Sequence, residues 1–199
     1  MSNAVFFNSY KIKKSSSVPE FLQTVDDLVR EYVSKQPGFI SMALLSNDEM
    51  WADFGIFETM EDAKRFESGG DGPNEFAEKF YSFLNFSTCK SRMFSVEKDY
   101  QLKSEIPKAV TLVTFKLKKG VSVPDFLLAS ENAGKMLPAG CISNKLLTNG
   151  DMWADLTFWQ SMDDAKNEAE YDKDVFREYF SFIGSVEAHR HFTVEQVHS

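Results

Sequence analysis

An α+β fold made twice in one chain is what the sequence predicts, each copy running strand, helix, strand, strand, helix, strand. Three observations predict it: ordered internal repetition, apolar spacing that switches between two-residue and helical periods, and cap and turn residues at the switches. Met50-Trp51-Ala52-Asp53 recurs 102 residues later as Met152-Trp153-Ala154-Asp155. Lys11-Ile12-Lys13-Lys14 and Val18-Pro19-Glu20-Phe21 recur at an offset of 105, and Phe94-Ser95-Val96-Glu97 at 98. Offsets that fall steadily while the blocks keep their order mark a duplication whose second copy has shorter loops.

The first strand is expected over residues 5–13 and 110–117, both dense in β-formers. Ser17-Val18-Pro19-Glu20 and Ser122-Val123-Pro124-Asp125 then open a helix. The serine caps, the proline occupies a first-turn position whose N–H is dispensable, and a carboxylate follows three residues on. Phe21, Leu22, Val25, Leu28, Val29 and Tyr32 share one helical face. Pro37-Gly38 and Ala139-Gly140 end it. Two strands follow at 39–45 and 50–57, joined by Ser46-Asn47-Asp48-Glu49; the second copy has the stronger hairpin signal, Asn149-Gly150. Thr59 and Ser161 start the second helix. Ser68-Gly69-Gly70-Asp71-Gly72-Pro73 reads as a break in it, restarted at Pro73, because the run lacks the Gly-Lys-Ser/Thr ending of a phosphate loop. A last strand carries 93–97 and 191–195.

Some 90 residues in that order suggest a ferredoxin-like unit, an antiparallel sheet with helices on one face. The bare face needs cover, which a second copy supplies. The expected architecture is therefore two ferredoxin-like repeats, 1–98 and 107–199, joined by a linker at 99–106, with sheets packed face to face as an intrachain α+β barrel. This pseudo-dimer leaves further homo-oligomerisation open.

Composition narrows the partners. Lys+Arg 22 against Asp+Glu 30 gives a net charge of −8, which argues against nucleic acid and anionic membrane. No apolar run approaches the ~20 residues of a membrane span and no signal segment opens the chain, so a cytoplasmic protein is expected. Cys89 and Cys141 are non-equivalent and read as incidental thiols.

Alternation on the third strand gives two sets. Met50, Ala52, Phe54 and Ile56 are wholly apolar and are expected under the helices. Trp51, Asp53, Gly55 and Phe57, with Trp153, Asp155, Thr157 and Trp159, are then expected in the barrel interior, as the lining of a small-molecule cavity or as self-satisfied structural pairs. On the last strand Phe192 and Val194 are expected under helices and His191 inward. His191 beside Asp155 would make a general base, or else a hydrogen-bonded interior histidine. His189 and His191 lack a local third ligand, so no metal is expected.

Gly-Phe/Cys-Ile-Ser, Trp-Ala-Asp and Ser/Thr-Met-Glu/Asp-Asp-Ala together resemble the dimeric α+β barrel superfamily, and within it the antibiotic-biosynthesis-monooxygenase-like domains. The resemblance covers residues 4–98 and 107–197. It implies a cofactor-independent oxidation of a small aromatic or polyketide-like substrate, held against Trp153 and Trp159, with His191 as base. A non-catalytic small-molecule-binding or structural barrel is the alternative. Haem-degrading members use an Asn, a Trp and a helix-borne His; Asn8 lies on the first strand as theirs does, but neither second helix holds a matching His, so no haem or other cofactor is expected.

Overall fold

In a computed structural model, residues 2–69, 74–167 and 173–199 are described, the side chains of 173–175 excepted. The chain divides into two units, Met1–Ser95 with Val194–Ser199, and Val96–Thr193.

Unit 1 begins with β1 (Ala4–Ile12), α1 (Val18–Glu31) and a short 3-10 turn (Val33–Lys35), followed by β2 (Phe39–Ser46) and β3 (Trp51–Phe57). Two short helices, α2 (Met60–Glu67) and α3 (Glu75–Phe83), lead into β4 (Leu84–Gln101). All strand pairings are antiparallel, in the order β4-β1-β3-β2. Unit 2 repeats this with β5 (Ala109–Leu117), α4 (Val123–Gly134), β6 (Cys141–Asn149), β7 (Met152–Trp159), α5 (Met162–Lys166), α6 (Lys173–Ser181) and β8 (Ile183–His198). Its order is β8-β5-β7-β6. Each unit is thus a ferredoxin-like sheet with its own helices.

The caps act as their chemistry requires. Ser17, Thr59, Ser122 and Ser161 each accept from the backbone N–H three residues on, satisfying a donor that has no partner within the helix. Gly150 takes φ +62° in the two-residue turn between β6 and β7. The second helix is interrupted as expected: α2 ends at Glu67 and α3 opens on the side chain of Asn74. The expected restart at Pro73 lies outside the described residues.

The face assignment on the third strand is overturned. Trp51 meets Phe21 of α1 edge-on at 5.0 Å, Phe57 stacks on Phe66 of α2 at 5.3 Å, and Trp153 meets Phe126 of α4 at 4.9 Å. The Trp/Asp set therefore lies beneath the helices. Polarity misled because β3 is buried along nearly its whole length on both faces. Size decides instead: large rings fill the gap between sheet and helix, and Ala52 and Ala154 fall on the other side. The last strands reverse in step, since Met93 packs with Phe6 and Phe57 at the helix side, as its counterpart His191 does through Thr111. His191 and Asp155 thus remain on one face, but it is the helix-covered face.

The final strands also run longer than their sequence signals. β4 continues through Lys98–Gln101, the polar stretch that suggested a linker. β1 begins at Ala4, which pairs with Ser95, so the rest of β4 needs other partners. It finds them in unit 2, where Lys98 pairs with Glu131 at 3.3 Å and, just past the strand end, Leu102 and Lys103 N–H both bond to Ile142 O.

Candidate functional site

Each unit holds a cavity between its sheet and its helices, about 330 Å3 in unit 1 and about 690 Å3 in unit 2. The difference follows from side-chain volume on the first helix. Val25, Leu28 and Val29 of α1 are buried core residues, and their counterparts on α4 are Ser130, Ala133 and Gly134. Several methylene groups disappear at one place, and space opens above β5 and β7.

A cross-strand row beneath that space changes chemistry between the repeats. In unit 1 it reads Met93, Phe6, Gly55, Met42 across β4, β1, β3 and β2. In unit 2 the same row reads His191, Thr111, Thr157, Asn144 across β8, β5, β7 and β6. Trp159 Nε1 donates to Thr111 Oγ1 at 2.9 Å, Thr111 Oγ1 shares a hydrogen bond with His191 Nδ1 at 3.0 Å, and Asn144 Nδ2 donates to Thr157 Oγ1 at 2.8 Å. The Thr111 hydroxyl thus joins the indole and the imidazole in one hydrogen-bonded chain. Buried polar side chains that satisfy one another hold a fixed polar floor under an otherwise apolar cavity.

The neighbouring row carries the acids. Asp155 of β7 lies opposite Val113, which lies opposite His189; Asp155 and His189 both line the cavity. Tyr179 of α6 donates to Asp155 Oδ2 at 2.6 Å, and burial, then the adjacent carboxylate, pushes the Tyr179 hydroxyl well above its ordinary pKa. In unit 1 the row is Ser91, Asn8, Asp53. Asn8 Nδ2 donates to Asp53 Oδ1 at 3.2 Å. Burial pushes the Asp53 carboxyl up to about 7, although Tyr10 and Asn8 oppose the shift.

The expected site residues therefore separate into two places. Asn8 and Asp53 line the first cavity; Asp155 and Trp159 line the second, and His191 reaches it through Thr111. Trp51 and Trp153 pack on the first helices of their units, away from the lining. His191 and Asp155 sit in adjacent rows, and the closer sheet neighbour of Asp155 is His189. Sequence reasoning placed Thr157 in the lining set but missed Tyr179, Thr111 and Asn144. The signal for these three was available: at matched repeat positions they replace Phe80, Phe6 and Met42.

Cys141 is buried, and burial pushes its thiol up to about 12, which makes it a poor nucleophile. Among the described residues no three His, Cys, Asp or Glu side chains gather as a metal site, and no helix is long and apolar enough to cross a membrane.

No family model matches the chain, and no curated protein matches it in sequence. Solved structures do match. A candidate monooxygenase of Fusobacterium nucleatum superposes with a TM-score of 0.67 at 13% identity, over 98% of this chain and 94% of that one. An anthrone oxidase-like protein gives 0.64 at 11% identity, over 100% and 93%. A Listeria monocytogenes ferredoxin-fold protein related to antibiotic biosynthesis monooxygenases gives 0.56 at 12% identity, over 98% and 95%. The chain has the duplicated ferredoxin-like fold of these monooxygenase-like proteins. At such identities the likeness is one of fold.

Proposed function

We propose that the chain is a monooxygenase-like protein whose second unit binds a small aromatic, polyketide-like molecule and oxidises it with molecular oxygen, without a cofactor. The observation that carries this reading is the unit 2 cavity: about 690 Å3 walled by Trp159, Phe176 and Tyr179, over a floor of hydrogen-bonded polar residues. A flat, mostly apolar molecule with a few oxygens matches such a lining. The anthrone oxidase-like neighbour supports the same substrate class.

In this reading the substrate is a phenol conjugated to a CH2 group beside a carbonyl. His189, at the cavity wall, accepts the proton directly, or His191 accepts it relayed through the Thr111 hydroxyl; Asp155 and Tyr179 orient the substrate hydroxyl. The resulting carbanion supplies the electrons. Net, CH2 and O2 become a carbonyl and water, so no other reductant is needed.

Oxygen uptake with an anthrone tests this. His189→Ala and His191→Ala together are expected to lower kcat by roughly 10²–10⁴-fold, the usual worth of a positioned base. Ala133→Leu, which refills the cavity, is expected to abolish binding. The polar floor is already bonded within the protein, which favours a second reading as a binding protein without turnover. That reading is supported if the anthrone binds and Ala133→Leu blocks it while oxygen uptake stays at the uncatalysed rate.

A further inference from the structure

We propose that the unit 1 cavity is a ligand site of its own, which takes a small aromatic amine as its cation, with Asp53 as counter-ion. The charges around this cavity are out of balance. Asp53 is 2% exposed, and the groups beside its carboxyl are neutral: the Asn8 amide, which donates at 3.2 Å, and the Tyr10 hydroxyl. No described Lys, Arg or His pairs with it. A carboxylate removed from water needs a partner or must hold its proton. The Tyr10 hydroxyl beside it is neutral, so it leaves the carboxylate's charge uncompensated.

The rest of the lining adds to the imbalance. Glu67 and Glu78 also border the cavity, and none of its described lining residues is a Lys, Arg or His. Glu67 accepts from Ser91 at 2.7 Å, so it is held in place on the wall. Five rings, Phe6, Tyr32, Phe66, Phe80 and Tyr81, share the walls with aliphatic side chains such as Leu28 and Met42. Ring faces and carboxylates attract the same ligand, an organic cation. At about 330 Å3 the space lies at the low end for ligand pockets, which limits the guest to about one ring and a short amine arm. Burial already pushes the Asp53 carboxyl up to about 7, the expected state of an acid whose cation is yet to arrive. Unit 2 differs at the same positions: Val113 replaces Asn8, and Tyr179 already donates to Asp155.

Calorimetric titration of the full chain with phenethylamine and with uncharged 2-phenylethanol, equal in size, tests the site. The amine is expected to bind about 10- to 100-fold more tightly, the worth of a charged hydrogen bond over a neutral one. Asp53→Asn should erase that preference, and Ala77→Leu, which narrows the cavity without touching the carboxylate, should weaken both ligands. Ala133→Leu in unit 2 should leave the amine titration unchanged, which separates this site from the proposed oxidation site. Equal affinities in the native chain, a preference that survives Asp53→Asn, or loss of amine binding in Ala133→Leu would each overturn the proposal.

Discussion

In unit 1 the tyrosine beside the buried aspartate stands on the strand as Tyr10 and the phenylalanine facing it on the helix as Phe80, edge-on at 5.7 Å. In unit 2 the two types are exchanged: Phe115 is on the strand and Tyr179 on the helix, edge-on at 6.3 Å. Each repeat thus keeps one phenol near its aspartate, delivered from opposite sides. Tyr179→Phe removes the donor from Asp155 and is expected to cost about 1–3 kcal/mol in urea unfolding. Adding Phe115→Tyr should recover part of that loss by restoring the arrangement of unit 1; no recovery would mean that the strand position cannot serve Asp155. Asp53 makes a different prediction. Its folded pKa of about 7 lies above the ordinary aspartate value of about 3.9, so between those values the native state holds a proton that the unfolded chain has lost. The stability it contributes is complete below about pH 4 and is lost as pH rises through about 7, an upper bound of about 4 kcal/mol. Asp53→Asn should flatten the stability profile over that window and leave the variant firmer than the native chain at pH 8. Parallel profiles would show that the native carboxyl is not so shifted.

Between elements, the contrast that matters is α1 against α4. Both begin with the same Ser-Val-Pro-acid signature, and both place a phenylalanine, Phe21 or Phe126, over the sheet tryptophan. They diverge one turn later, where Gly134 stands at the position of Val29. A Cβ at Gly134 would come 2.5 Å from the ring of Tyr100, so the glycine is needed for close approach and not for an unusual backbone angle. Gly134→Val is expected to destabilise unit 2 by about 1–3 kcal/mol, as overpacking does. A thermal shift within a few tenths of a degree of the native value would contradict that. Caps, turns and element order were legible because each rests on local chemistry: a serine oxygen three residues before an N–H, or a glycine free to take positive φ. Which side of β3 and β7 the helices cover was not. Alternation identifies a buried face only when the other is wet, and neither face of these strands is. The cavity was illegible for a related reason, since it arises from residues that are smaller than their repeat partners, and small apolar residues look like ordinary core.

At the scale of the whole molecule, the duplication was readable but the structural units do not coincide with the halves of the sequence. Residues 96–101 complete unit 2, and residues 194–199 complete unit 1. Composition could not reveal this, because the strand ends are polar where they leave their first partner, and polarity in sequence reads as linker. The two tails dock alike on the first helix of the unit they join. Lys98 pairs with Glu131 of α4, and Gln196 Nε2 donates to Leu22 O of α1 at 3.0 Å. Glu195 also accepts from Ser46 of β2, and His198, its pKa lowered by burial, lies 3.9 Å from Asp26. A chain ending at Thr193 loses these three contacts within unit 1. Amide exchange should therefore accelerate in α1 and β2 by about 10- to 100-fold, the equivalent of one to two hydrogen bonds, while β5, β6 and β7 keep their protection. Equal acceleration in both units would mean that they unfold as one cooperative body. Unchanged exchange in α1 would mean that the last six residues only rest on unit 1 without holding it.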